Sequence, residues 1–331
     1  MRRREFIAFI GVVSVLPRAA RSQQSTKVYR IAILHPSHPI TELNERSRFR
    51  YYREFFGELR QLGYVEGHNL LIERFSGEGR VDNYPKLARD VAARNPDLVF
   101  AISVSLIAPL KETTSTIPIV AMTSDPVGHG IAASIARPGG NITGVTVDAG
   151  LELWAKRLQL LRELVPTISN LGILAVRTNP EGAAMQGAVE NAGITVVGPF
   201  FVENGSDEEY RNVFATVSQA SVDALFVDGS PIHITKRRLI AELAAKYRIP
   251  TIYAFRSFVE AGGLMAYGND LVESFRQAAR AIDQILKGAK PANIPFYQPT
   301  KFEFVINRTA AKEIGLVISE PMLARADEVI E

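Results

Sequence analysis

Short apolar runs rich in β-branched residues alternate with stretches of three- and four-residue apolar period from Val28 onward, and this alternation leaves little choice of architecture. Val28–Leu34, Leu70–Phe75, Asp97–Ile102, Ile117–Val120 and Ile142–Val147 read as strands. Asp97–Ile102 is almost wholly apolar, as a strand covered on both faces must be. Phe49, Tyr52, Phe55, Phe56, Leu59 and Leu62 mark one face of a helix that Gly63 can stop. Asp82 or Asn83 can cap the next helix, with Pro85 in its first turn. The second half repeats the scheme, with strands at Leu171–Val176, Ile194–Val197, Val222–Val227, Pro250–Ala254 and Gly262–Tyr267. Asn179 is placed to cap a helix that Pro180 begins, and Ser206 to Glu209 has capping-box spacing. A long helix is expected over Leu271–Leu286 and a last strand near Phe302–Ile306. Repeated strand–helix units imply parallel sheets with right-handed crossovers. The 331 residues suffice for two such doubly wound α/β lobes.

The formal charge of +3 hints at a nucleic-acid or membrane partner, but its distribution argues otherwise. Five arginines against Glu5 give residues 1–22 a net charge of +4, which leaves the rest of the chain at −1. No nucleic-acid surface is therefore expected. The basic stretch has the parts of an export signal. Arg2-Arg3-Arg4 precedes the apolar run Phe6–Leu16, and Ala20-Arg21-Ser22 suits cleavage before Gln23. Arg3-Arg4-Glu5-Phe6-Ile7 is similar to a twin-arginine signal. The apolar run is too short to span a bilayer, and no later run is long and apolar enough, so no membrane insertion is expected. The chain has no cysteine, which excludes disulfides, thiolate metal sites and a lipidated cysteine anchor. A soluble periplasmic protein is expected, and two α/β lobes in an exported chain match clamps that close on a ligand about a hinge.

Catalytic motifs are missing. There is no GxGxxG after the first strand, no GxxxxGK[ST] and no GxSxG. His35 and His38 lie three apart in a loop shaped by two prolines, with no HExxH and no adjacent carboxylate, so neither a metal nor a cofactor is expected. What recurs is polar side chains where strands end, the place at which open α/β sheets bind ligands. In the first half these are His35 and Ser37, Ser103 and Ser105, and Ser124 and Asp125. In the second they are Arg177, Asp228 and Ser230, Tyr253 and Arg256, and Tyr267. Together they offer hydroxyls and an arginine fork for a carboxylate, aspartates for an ammonium and tyrosine faces for an aromatic body.

Several stretches carry a family resemblance. They are Leu59–Asn69 (LRQLGYVEGHN), Thr114–Val120 (TSTIPIV), Ser124–Gly144 (SDPVGHGIAASIARPGGNITG), Phe258–Asp270 (FVEAGGLMAYGND), Ile285–Phe302 and the ending Leu323–Glu331 (LARADEVIE). Through them the chain resembles the ABC-transporter substrate-binding proteins of the type that includes the tryptophan/tyrosine-binding lipoproteins, with the type I periplasmic binding fold. The resemblance implies two lobes joined by a three-crossing hinge, with residues 27–147 and 268–291 in one and 148–267 and 292–331 in the other. It implies no catalysis, a small-molecule ligand, an inner-membrane permease as partner, and a monomer. The departures fall at expected cleft positions. Members often have Gly-Thr-Pro where Ser103-Val104-Ser105 stands, Trp-Asn-Pro where Ala175-Val176-Arg177 stands and Pro-Asp-Pro near Gly229-Ser230-Pro231. Arg177 is accordingly expected to pair with a ligand anion. A receptor clamp serving a membrane sensor is the competing reading. An exported α/β enzyme lacks a nucleophile–base set.

Overall fold

The computed structural model describes residues 27–147, 151–177 and 181–331. The expected export signal, the Asn179 cap and the crossing near Asp148–Gly150 fall outside them.

Two sheets form. The first takes β1 (Tyr29–His35), α1 (Arg50–Gln61), β2 (Leu70–Ser76), α2 (Tyr84–Ala93), β3 (Leu98–Ile102), α3 (Val104–Thr113), β4 (Ile119–Thr123) and β5 (Ile142–Thr146). Its five parallel strands run in the order β2-β1-β3-β4-β5. The inner strands β3 and β4 are buried at every residue, as their unbroken apolar runs require. Gly144 lets β5 approach β4 closely, because a Cβ there would run into the Ala121 carbonyl.

The second lobe opens with α4 (Leu151–Leu164), β6 (Asn170–Val176), α5 (Glu181–Asn191), β7 (Thr195–Val202) and α6 (Asp207–Gln219). It continues with β8 (Ala224–Val227), α7 (Pro231–Thr235), α8 (Arg237–Lys246), β9 (Thr251–Tyr253), α9 (Arg256–Val259) and β10 (Met265–Asn269). The Ser206 hydroxyl caps α6 by accepting from Glu209 N at 3.2 Å, and the Glu209 carboxylate answers by taking the N–H groups of Glu203 and Gly205. Asn83, by contrast, makes no side-chain cap on α2; Pro85 alone marks that start.

After β10 the chain returns to the first lobe. Asp270 Oδ1 accepts from Val272 N at 2.8 Å and starts α10 (Leu271–Leu286) over the predicted residues. α10 packs on α1, where Phe275 meets Phe55 and Phe100 edge-on and Tyr64 donates to Asp283 at 3.0 Å. Residues 294–297 then follow β5: the Thr143 hydroxyl donates to Ile294 O at 2.6 Å, and Tyr297 N donates to Gly144 O at 2.8 Å. The last crossing thus lies beyond Tyr297, not at the expected 291/292 boundary, because these contacts tie that segment to the first sheet.

The tail returns to the second sheet as β11 (Phe302–Asn307), α11 (Arg308–Glu313), α12 (Glu320–Ala324) and β12 (Glu328–Ile330), in the order β12-β11-β10-β9-β8-β6-β7. β11 runs antiparallel to β10, the exception in an otherwise parallel sheet. The geometry demands it: β10 leaves at the hinge, and β11 comes back through the same side.

Candidate functional site

The carboxyl ends of β1, β3 and β4 face those of β8 and β9 across a cleft. His35, Ser103 and Ser124 line it from the first lobe, and Ser230, Pro231 and Phe255 from the second. Leu271 and Phe275 of α10 close the hinge side. The space enclosed between the lobes is about 60 Å³. The lobes touch across it: the hydroxyls of Ser37 and Thr235 are 3.0 Å apart.

One wall is a stack of rings. His35 lies on His38 at 4.0 Å and 7°, His38 on Phe49 at 4.2 Å, and Tyr51 on Phe275 at 4.6 Å. The turn-rich loop after β1 builds the first part of this stack. His35 Nδ1 accepts from Ser37 N at 3.0 Å and His38 N at 2.7 Å, so its ring proton sits on Nε2. Burial without a carboxylate partner lowers the His35 pKa to about 3, and burial pushes His38 down as well. Both rings are neutral and act as flat, polarisable surfaces. His38 Nδ1 lies 3.3 Å from the Tyr52 hydroxyl, while its Nε2 is buried with no partner among the described residues.

The polar groups are few. Ser103 takes φ +81° at the head of α3, and its hydroxyl meets that of Ser105 at 2.9 Å. Ser124 is buried against the cleft at the end of β4. Among the described lining residues there is no Asp, Glu, Lys or Arg. The cleft therefore suits an apolar or aromatic body held by hydroxyls and neutral imidazoles. Among the described residues it offers no counter-charge to an ammonium.

The twelve sequence-predicted positions divide. His35, Ser103, Ser124 and Ser230 line the cleft. Ser37 spans its rim, and Ser105 lies behind Ser103 in a small space shared with Ser230 and Pro231. The other six lie elsewhere. Asp125 is exposed, with Oδ1 accepting from Gly128 N at 2.8 Å, and so shapes its own turn. Asp228 is wholly buried and ties strand ends together, accepting from Val176 N and Ser230 N at 3.2 and 2.9 Å. Arg177 keeps 60% of its side chain exposed, pairs with Glu203 at 2.9 Å and covers Phe201. Tyr253 is buried in the core on Phe258. Arg256 is held by Glu260, Glu303 and Glu328. Tyr267 stacks on Phe302, and its carbonyl accepts from Arg157.

Tyr51, Phe255 and Phe275 were not expected in the cleft. The aromatic density from Phe49 to Phe56 was the available signal for Tyr51. Phe275 belongs to an ordinary helix stripe, and nothing local sets it apart.

Comparison with known proteins places this geometry. The family described as ABC transporter substrate binding protein matches residues 41–330. A tyrosine-binding protein of Clostridioides difficile is 23% identical over 270 residues, 79% of this chain and 75% of that protein. An ABC domain from Streptococcus pneumoniae, solved in complex with L-Trp, is 25% identical, covers 92% of this chain and 100% of its own, and superposes with a TM-score of 0.79. A conserved domain protein from Vibrio cholerae, 22% identical with a TM-score of 0.81 and covering 92% of this chain and 100% of its own, shares the fold. The matched family and the tyrosine-binding relative are substrate-binding proteins, not enzymes. The chain belongs to the ABC transporter substrate binding protein family.

Proposed function

We propose that this protein is the periplasmic solute-binding component of an ABC importer, a monomer that clamps a small aromatic or apolar ligand bearing a carboxylate and delivers it to an inner-membrane permease. The observation that carries this is the stacked aromatic wall in a cleft between the carboxyl ends of two sheets. The relatives bind aromatic amino acids by their descriptions, which favours a flat ligand here too. Among the described residues no helix is long and apolar enough to cross a membrane, as a soluble binding protein requires. The amino-acid-like option has less support, because the described residues of the cleft wall include no carboxylate for an ammonium.

Native mass spectrometry of protein purified from its host tests the reading. A bound small molecule should appear and be lost on denaturation. Thermal-shift screening of aromatic acids and amino acids should give a concentration-dependent rise in Tm. A chain that carries nothing and responds to none of them would overturn the proposal.

A further inference from the structure

A second space lies between the lobes and abuts the cleft along Tyr51, Phe255 and Leu271. Its chemistry is the opposite of the cleft's. Five guanidinium groups, those of Arg48, Arg50, Arg53, Arg237 and Arg256, line it against the carboxylates of Glu260 and Asp270. Both carboxylates are committed, Glu260 to Arg256 at 2.9 Å and Asp270 to the start of α10. Arg256 is satisfied by three glutamates, and Arg48 pairs with Glu42 at 3.1 Å.

Three arginines remain. Arg53 donates Nη1 to the carbonyls of Ser47 and Arg48, and Arg237 donates Nη1 to Ile234 O at 3.1 Å. Neither they nor Arg50 has a carboxylate within ion-pair distance among the described residues. Arg237 is half-buried and sits 4.6 Å over the Phe49 ring, which brings a second-lobe cation onto the first lobe's cluster. Three guanidinium groups without an ion pair of their own thus border one space from two lobes, and a multivalent acceptor between them would tie the lobes together.

We infer that this vestibule is an oxyanion site, assembled from both lobes on closure, that takes a carboxylate, sulfate or phosphate group. The occupant is the ligand's own carboxylate or a free oxyanion; the chemistry is shared. The inference deepens the clamp reading and rests on it for the meaning of closure. It also moves the anion contact from Arg177, where the sequence put it, to Arg237 with Arg50 and Arg53.

Sulfate and 3-phenylpropionate are the probes, followed by thermal unfolding and calorimetry on the full mature chain. Sulfate should raise the Tm of the wild type saturably over chloride at matched ionic strength. Arg237→Gln should weaken that binding roughly tenfold, the scale of a charged hydrogen bond. Arg177→Gln, remote and exposed, should leave it unchanged, which controls for net charge. Competition between 3-phenylpropionate and sulfate, with its neutral amide failing to compete, assigns the site to the ligand's carboxylate. Additive binding, or sulfate binding alone, assigns it to a free ion. Sulfate acting no differently from chloride, or equally well on folded Arg237→Gln, overturns the inference. A host-derived small molecule without any sulfate site would sink the vestibule and leave the clamp standing. A sulfate site on a chain that carries no small molecule would do the reverse.

Discussion

The hydroxyls of Ser37 and Thr235 meet at 3.0 Å across the mouth of the cleft, one from the loop after β1 and the other from the end of α7. The lobes thus touch across the cleft, and separating them would break this hydrogen bond. Ser37→Ala or Thr235→Ala should weaken ligand binding by about 0.5–1.5 kcal/mol, the worth of one neutral hydrogen bond. Thermal stability of the ligand-free protein should hardly change. The double variant should lose no more than either single one by calorimetry; additive losses would show that the two hydroxyls act separately.

Phe275 serves two structures at once. It fills the α1–α10 interface against Phe55 and Phe100 and supplies the last ring of the cleft wall. Phe275→Ala should cost about 3–5 kcal/mol in denaturant unfolding. Phe275→Leu keeps most of the volume, so it should fold with a loss below about 1.5 kcal/mol. It should still bind an aromatic ligand more weakly, because the stacked face is gone. Equal affinity in Phe275→Leu would remove the ring from the site.

Two glycines near the same strand should respond oppositely. Gly144→Ala drives a methyl group into the Ala121 carbonyl of the neighbouring strand and should destabilise the first lobe by at least about 1–3 kcal/mol. Gly140 has open space where a Cβ would go, so Gly140→Ala should be neutral within about 0.5 kcal/mol. Thermal melts of the pair settle it; equal shifts would contradict the packing described for β4 and β5.

The buried histidines predict acid sensitivity. His35 titrates near pH 3 when folded and near its ordinary 6.5 when unfolded, so below 6.5 the unfolded chain takes up a proton that the folded chain refuses. Its contribution is complete above pH 6.5 and is lost as pH falls toward 3, at up to about 1.4 kcal/mol per unit. His38 and His233, also lowered by burial, act in the same direction. Stability should fall from pH 7 to pH 4, with a shallower slope in His35→Gln; an unchanged slope would reject the assignment.

Much of the fold could be read from sequence because it rests on local signals. Unbroken apolar runs marked β3 and β4, and the period of 3.6 with an aspartate ahead marked α10 to its last residue. The crossings between lobes were expected only through the family resemblance; of those the described residues cover, the last fell later than expected, since the tie of Thr143 to Ile294 is a long-range contact. The site was legible in its positions but not in its directions. Strand ends in the first lobe did point to His35, Ser103 and Ser124. In the second lobe a strand end does not say which way a side chain turns, so Arg177 faces outward to Glu203 and Tyr253 packs inward on Phe258. Arg177→Ala should accordingly leave ligand affinity unchanged. Tyr51 and Phe275 escaped because the cleft joins them from helices far apart in the chain.

The most direct test of the clamp is native mass spectrometry of host-purified wild type beside Ser124→Phe, a substitution that fills the cleft from the end of β4 and whose fold is checked by circular dichroism. The expected result is a small molecule on the wild type and on Arg177→Ala, and none on folded Ser124→Phe. A ligand retained by the cleft-filled variant, or absent from the wild type, would contradict the assignment of this cleft.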